Sequence, residues 1–405
     1  MDPKTIIKLD RYAGIPLCFL LTGFDCIRNL ISAKTPDPHI PKKILFLKLT
    51  EQGANVLAHS AIKRAEKIVG RENVYFCVFR ENRPILDIMG IIASENIFEI
   101  RQESLVSFCI DMLRFLFNTR KLGIDTVIDM EFFSRASALI AYLSGAKIRV
   151  GCHRYSADLP YRGDLMTHKI QYNPYIHVAY QYDLLVQAAM RSVSECPMPK
   201  SEYGELLVSA PLVKPAEHVF DKVRLILKRL GVNECSPIVL LNPNASDMLP
   251  LRKWETVRFI ELAQRLIDTR KGLAVLFTGA PSEQSICEAI AAEVNSERAI
   301  CVAGHTTLEE LIALYWMADV LVTNDSGPGH FASLTDIKTI VMFGPETPLL
   351  FGPLGANTTV IWKHLACSPC VSAFNHRNTP CDDNVCMKMI TVYEVLKQVE
   401  GILKG

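Results

Sequence analysis

Short apolar runs alternate with stretches of helical periodicity along most of this chain. Runs at 44–49, 74–79, 97–100, 126–130 and 148–151 are too short for buried helices and are bounded by polar or glycine residues. They read as strands buried on both faces. Between them, 56–68, 83–90, 105–122 and 134–143 carry apolar residues at helical spacing, and a further helix is expected over 177–191. A second series begins with a helix at 221–230. Its strands are expected at 237–241, 273–278, 300–302, 320–323 and 339–343, with helices at 254–268, 282–294 and 307–317. Strands that alternate with helices predict an α/β fold with parallel sheets covered on both sides.

Three regions break this rhythm. Residues 152–176 crowd Arg154, Tyr155, Tyr161, Arg162, Asp164, His168, Lys169, Tyr172 and Tyr175 into one apparent loop. Long loops in compact domains are often functional, and this mixture suits a polar or anionic acceptor, with Arg154, Arg162 and Lys169 as contacts. The proline-rich region 195–217 reads as the boundary between domains. At the N-terminus, Ile6, Ile7 and Leu9 precede an apolar run at 14–21, then Phe24, Ile27, Leu30 and Ile31, flanked by Lys4, Lys8, Arg11, Arg28 and Lys34. Two readings stand: an interfacial anchor on an anionic membrane, or a helix packed on the globule. A stiff proline linker follows at 35–41. The expected domains are therefore 1–41, 42–217 and 218–390, with a C-terminal amphipathic helix in 391–405.

Composition narrows the classes. The 405 residues are 49% hydrophobic and 21% charged, with a formal net charge of +1. That balance gives no argument for nucleic acid as a partner. No apolar stretch reaches the about 18 residues that a spanning helix needs, and no signal peptide is convincing. Thirteen cysteines, an odd number, several of them in apparent core strands, suggest a reducing, cytoplasmic compartment.

The chemistry concentrates after the strand at 320–323, in Asn324-Asp325-Ser326-Gly327-Pro328-Gly329-His330. In a parallel sheet, ligands bind at the carboxyl ends of strands. Pro328 suits a first helical turn. Free N–H groups there, with Ser326, Gly327, Gly329 and His330, would receive an anion, and Asp325 would accept from sugar hydroxyls. The competing reading is that Asp325 and Ser326 only cap the helix.

Asn324 to Ala332, followed by Phe343-Gly344-Pro345 and Phe351-Gly352-Pro353, resembles glycosyltransferase family 9, the heptosyltransferases of bacterial lipopolysaccharide assembly. The resemblance runs from about Lys42 to the C-terminus. It implies a GT-B fold, two Rossmann-like domains with parallel sheets facing a central cleft. It also implies an inverting, metal-independent transferase that needs no cofactor. The donor would be a nucleotide-diphosphate sugar such as ADP-heptose, and the acceptor a lipopolysaccharide-core or other saccharide or lipid-linked molecule. The place of action would be the cytoplasm, peripheral on the inner membrane.

Further segments carry the resemblance. Lys48-Leu49-Thr50-Glu51-Gln52-Gly53-Ala54-Asn55 is similar to the family's loop whose aspartate is the proposed base. Ala54 stands at that position. Glu51 on the same loop is the first alternative base, with Asp129 and Glu131 as others, because a base must reach its proton within about 3 Å. Loss of transfer, leaving a protein that binds nucleotide sugars without catalysis or with another specificity, is the remaining reading. Asn244, Ser246, Arg252 and Lys253 match the family's phosphate-neutralising segment, and Glu283 its ribose contact. For Arg252-Lys253 a solvated helix start, and for Ser282 and Glu283 a capping start, are the bland readings.

Finally, Cys367, Cys370, Cys381 and Cys386, with His364 and His376 nearby, have spacings that fit a structural zinc. Free thiols shaping a loop are the alternative. Similar cysteine segments occur in the family.

Overall fold

In the computed structural model, residues 10–31, 40–157, 159–196, 200, 209–232, 237–246, 249–375 and 377–404 are described. The chain divides into two compact units. One comprises Met1–Val208 with Ala373–Arg377, the other Ser209–Ser372 with Asn378–Gly405.

The first unit is built on strands β1 (Ile44–Leu47), β2 (Val74–Phe79), β3 (Ile97–Ile100), β4 (Thr126–Asp129), β5 (Ile148–His153) and β6 (His168–Gln171). They form one parallel sheet in the order β3-β2-β1-β4-β5-β6. β1, β2 and β4 are buried along their whole length. Their unbroken apolar runs follow from that: each face packs on helices and neither meets water. The helices are α1 (Gly14–Ile31), α2 (Gln52–Leu57), α3 (His59–Val69), α4 (Arg83–Met89), α5 (Leu105–Lys121), α6 (Arg135–Leu143) and α7 (Val178–Ala189). The single helix expected over 56–68 is two, α2 and α3, which meet at Ala58.

The second unit repeats the plan. Strands β7 (Ile238–Asn242), β8 (Ala274–Phe277), β9 (Ala299–Cys301), β10 (Val320–Asn324), β11 (Lys338–Phe343) and β12 (Thr358–Trp362) form a parallel sheet in the order β12-β11-β10-β7-β8-β9. Its helices are α8 (Glu217–Arg229), α9 (Thr256–Thr269), α10 (Gln284–Val294), α11 (Leu308–Met317), α12 (Gly327–Ala332), α13 (Pro348–Phe351), α14 (Val385–Lys388) and α15 (Val392–Lys404). In each sheet the first strand of the unit, β1 or β7, is central. The chain winds outward from it in one direction and then in the other. The topological switch points therefore lie between β1 and β4 and between β7 and β10, where loops diverge and leave a crevice.

Two expectations change. Strand β6 lies inside the segment read as a loop, and β12 was not expected at all. Both are edge strands with exposed positions, so neither shows a long apolar run. The C-terminal helix α15 buries Val392, Val395, Leu396 and Val399 in the core of the second unit, with Phe259 and Leu262 of α9. Residues Ala373–Arg377 are the ones that rejoin the first unit.

Helix α1 packs on the first unit along one face, as the second reading of the N-terminal segment expected. Cys18 is buried in the first unit's core, Tyr142 Oη donates to Asp25 at 3.1 Å, and Asp10 accepts from the backbone of Arg135 and Ala136 at the start of α6. Its other face exposes Leu17, Phe19, Leu20, Phe24, Ile27 and Leu30. Among the described residues, no helix is long and apolar enough to cross a membrane. Lys4, Ile6, Ile7, Lys8, Leu9, Lys34, linker positions 35–39, His376, and 197–199 and 201–208 of the boundary region lie outside the described residues.

Candidate functional site

In the second unit, one side chain ties the switch point together. Asn324, at the end of β10, donates through Nδ2 to the carbonyls of Pro243 (3.1 Å) and Asn244 (3.2 Å) on the loop after β7. Its Oδ1 accepts from Trp254 N at 3.0 Å. Trp254 is itself buried and donates through Nε1 to Ile390 O at 2.9 Å. The Arg252-Lys253-Trp254 run is thus anchored by its tryptophan, and Arg252 is presented at the strand ends.

Arg252 stands between two buried carboxylates. Its Nη2 is 2.7 Å from Glu346 Oε2, and its Nε 3.5 Å from Asp325 Oδ2. Glu346, 3% exposed by its side chain, follows the first F-G-P and was missed in the sequence, where a glutamate after a proline turn reads as a surface residue. Arg252 sits at the carboxyl ends of adjacent strands β7, β10 and β11.

The capping reading of Asp325-Ser326 is not realised. Ser326 makes no side-chain cap; its Oγ donates to Asn324 O at 3.2 Å. The two glycines serve packing. A Cβ on Gly327 would lie 3.1 Å from the Phe331 ring, and one on Gly329 3.3 Å from Pro353 and Val341. Helix α12 is only six residues long. His330 is buried in it.

On the next strand end, Asn244 Nδ2 donates to Thr278 O at 3.2 Å. A Cβ on Gly279 would lie 2.8 Å from Asn244 Nδ2 and 3.1 Å from Glu283 Oε2. Gly279 thereby lets these two residues close around it. Glu283 does cap: Oε2 accepts from Ala280 N at 2.7 Å. The capping reading is thus seen, with the carboxylate held at the rim. Ser246 is exposed and Lys253 half-buried beside Arg252.

The first unit's switch point is tied by a charge instead. Glu131, just after β4, accepts from Leu49 N (2.7 Å), Thr50 N (2.9 Å) and Thr50 Oγ1 (3.1 Å), and pairs with Lys48 Nζ at 3.0 Å. Lys48 is 3% exposed. Burial alone would lower its proton affinity, but the carboxylates of Glu131 and Glu51 outweigh burial and raise it. Lys48 is charged at every physiological pH.

Glu51, 34% exposed, pairs with Lys48 at 3.3 Å and with Arg377. It occupies the N-cap position of α2 yet makes no side-chain cap, and its φ is 68°. A left-handed backbone costs a non-glycine residue roughly 1–3 kcal/mol, and such residues cluster at functional sites. Ala54 lies in the first turn of α2, its N–H bonded to Glu51 O at 3.0 Å.

Other expected residues are placed differently. Asp129 is fully buried, and its carboxylate takes hydrogen bonds from Ser137 Oγ (2.9 Å), Glu131 N (3.0 Å) and the Arg162 guanidinium. A carboxylate so enclosed pins the β4 turn and has no path to an acceptor proton. Arg162 is correspondingly 2% exposed and also donates to the carbonyls of Phe132 and Cys152, so it braces the fold instead of meeting an acceptor. Glu131 holds the loop described above. Lys169 lies on edge strand β6 in an ion pair with Asp164, and Arg154 Nε donates to Ser156 O at 3.2 Å.

The zinc expectation is corrected. Among the described residues, no three His, Cys, Asp or Glu side chains are placed to hold a metal ion. Cys386 packs beneath the F-G-P turn, where a Cβ on Gly344 would lie 2.5 Å from Met387 Sδ and 3.0 Å from Cys386 Sγ. Burial raises its thiol, and Cys370, Cys381 and Cys367 nearby push it the same way. Cys381 Sγ bonds to Asp383 O at 3.2 Å. The described cysteines are all free thiols.

Comparison with known proteins agrees with this architecture. A sequence model of glycosyltransferase family 9 (heptosyltransferase) matches residues 114–379. Lipooligosaccharide heptosyltransferase 2 of Campylobacter jejuni is 29% identical over 172 residues, 42% of this chain and 51% of that protein. Lipopolysaccharide heptosyltransferase 2 of Salmonella typhimurium is 29% identical over 189 residues, 46% of this chain and 49% of that protein. The chain thus spans about half the length of these curated relatives. Among solved structures, the Escherichia coli ADP-heptose heptosyltransferase II superposes with a TM-score of 0.66 at 20% identity, covering 89% of this chain and 98% of that one. An E. coli heptosyltransferase solved with ADP gives 0.61 at 16% identity, covering 89% and 99%. These likenesses show the GT-B heptosyltransferase fold, and with the family match over well over half of its length the chain belongs to glycosyltransferase family 9.

Proposed function

We propose that this protein is an inverting, metal-independent glycosyltransferase. It transfers a heptose-type sugar from a nucleotide-diphosphate donor, ADP-heptose, to a lipopolysaccharide-core or related saccharide acceptor. The observation that carries the reading is Arg252, fixed between Asp325 and Glu346 at the second sheet's switch point. The names of the relatives, lipopolysaccharide and lipooligosaccharide heptosyltransferase 2, support the choice of sugar and acceptor.

In the proposed step, the acceptor hydroxyl oxygen forms a bond to the anomeric carbon from the face opposite the nucleotide. Its proton passes to Glu51. The bond from the anomeric carbon to the diphosphate oxygen breaks, and its electron pair leaves on the diphosphate. Arg252 and Lys253, with N–H groups near Ser326 to His330, meet that developing charge. Such preorganised cations act on the transition state more than on the substrate. Asp325 accepts from sugar hydroxyls, and Asn244, Ser246 and Glu283 border the nucleoside. The acceptor lies against the first unit, near Arg154 and the β6 residue Lys169.

The exposed apolar row on α1, with Arg11 and Arg28 at its ends, supports a peripheral seat on an anionic membrane surface. Nucleotide release is measured with ADP-heptose and a lipopolysaccharide-core acceptor, for the wild type, Glu51→Gln and Arg252→Ala. The reading expects acceptor-dependent release that both substitutions abolish, while Glu51→Gln still binds the donor. Donor binding without turnover by the wild type with any acceptor returns the chain to a binding role.

A further inference from the structure

Three of the five non-glycine residues with positive φ among the described residues surround one place in the first unit. They are Glu51 (φ 68°), Phe132 (φ 36°) and Arg377 (φ 56°). Glu51 and Arg377 are the two ends of one ion pair, 326 residues apart in sequence. Both hold a backbone conformation that L-residues avoid, so neither placement follows from local preference; tertiary contacts impose both.

The contacts are identifiable. The segment Ala373–Arg377 belongs to the first unit although the chain on either side of it belongs to the second. Phe374 stacks edge-on against Tyr172 with ring centroids 5.8 Å apart. Tyr172 in turn meets Phe132 at 5.3 Å and Phe133 at 5.6 Å, and Phe132 stacks on Tyr182 at 5.6 Å. Ala373 and Phe374 thus close a small apolar cluster formed by Phe133, Cys152, Leu159 and Tyr172. Tyr182, fully buried, lies close enough to feel the charges of Lys48, Glu51, Glu131 and Arg377. The aromatic seat and the charged loop are one structure. The apolar seat fixes the segment, and the segment delivers a guanidinium to Glu51.

We propose that Ala373–Arg377 is a latch for the first switch point, and that Arg377 is the positioning residue that holds Glu51 in its left-handed placement. This rests on the reading of Glu51 as the base. Lys48 cannot do this alone, because Glu131 shares its ammonium. Arg377 meets the Glu51 oxygen, Oε1, that the Lys48 pair does not use. The latch sets where the carboxylate waits.

The test uses the full chain, ADP-heptose and a lipopolysaccharide-core acceptor. Arg377→Ala is expected to lower kcat about 10- to 100-fold, the scale of a misplaced catalytic group, with the donor KM within about two-fold. The acid limb of the kcat profile moves to higher pH, because a cation beside the carboxylate is gone. Arg377→Lys restores most of the rate, and Phe374→Ala reproduces the loss. Glu51→Gln with Arg377→Ala is no slower than Glu51→Gln alone. An Arg377→Ala rate and pH profile like wild type, or a double variant whose losses multiply, overturns the latch. If Glu51→Gln turns over normally, the base reading falls instead. The latch is then judged by hydrogen exchange at 373–375: faster exchange in Phe374→Ala and Glu51→Gln upholds the seating, and unchanged exchange overturns it.

Discussion

The two units share one topology, strand for strand, yet close their switch points by opposite means. In the second unit the tie is a neutral amide: Asn324 joins the β10 end to the β7 loop through three hydrogen bonds. The charges stand beside the tie, one cation between two carboxylates. In the first unit the tie is itself charged, since Glu131 holds the β1 loop and Lys48 together, and the strained residue Glu51 hangs from that network. A neutral tie leaves Arg252 to its two carboxylates. A charged tie consumes its own charges and keeps a carboxylate at the rim. The proposed reaction sets an anionic donor against the first arrangement and an acceptor proton against the second.

The largest expected effect breaks the second arrangement. Arg252→Ala leaves Asp325 and Glu346 buried without their cation and removes the charge that the proposed reaction sets opposite the diphosphate. Loss of a comparable oxyanion donor costs about 10²–10³ in kcat; steady-state turnover and donor titration measure it. Breaking a buried pair also destabilises by about 3–5 kcal/mol, so melting of the second unit should fall. Arg252→Ala with ordinary turnover and melting would erase the contrast.

A smaller effect compares the ties themselves. Asn324→Ala removes three hydrogen bonds and leaves Trp254 N and two carbonyls without that partner, at about 1–3 kcal/mol for each buried group left unsatisfied. Glu131→Gln keeps an acceptor for Leu49 N and Thr50 N and removes the negative charge facing Lys48, which still has Glu51. In chemical denaturation Asn324→Ala should therefore cost more than Glu131→Gln. The reverse order would mean that the charged tie is the stronger one.

The smallest effect is a pH dependence confined to the first unit. Burial, opposed more weakly by the hydrogen bond to Arg191 O, lowers the His168 imidazole below its ordinary value, and burial lowers His153 likewise. Both are neutral in the fold and take up protons more readily when unfolded. Their contribution is present above about pH 6.5 and is lost as pH falls through that value toward the folded one. Melting of wild type and His168→Asn from pH 8 to 5 should show the steeper decline in the wild type. Equal slopes would remove His168 from this account.

Much of the fold was legible in the sequence because parallel strands buried on both faces announce themselves as unbroken apolar runs, as in 44–47 and 74–79. The edge strands β6 and β12 were not, since a half-exposed strand such as His-Lys-Ile-Gln carries no such run. In the second unit, the place of Arg252 and Asp325 at the strand ends was legible from the motif. Glu346 was not, because nothing local marks a carboxylate that is buried only by a partner 94 residues away. Asp129 and Arg162 looked like chemistry and proved to be each other's counter-ions, a pairing across 33 residues. The four cysteines looked like a metal set, and Cys386 proved to be packing under Gly344.

By itself the sequence determined the elements, their alternation, the two sheets and the turns where chemistry gathers, because periodicity, glycine and proline act over a few residues. Only the tertiary structure decided which charges face which. It enclosed Asp129, exposed Glu51, set Arg252 between two carboxylates and carried Arg377 back to the first unit. Those outcomes depend on burial and on pairs far apart in the chain, and a local pattern holds no record of either.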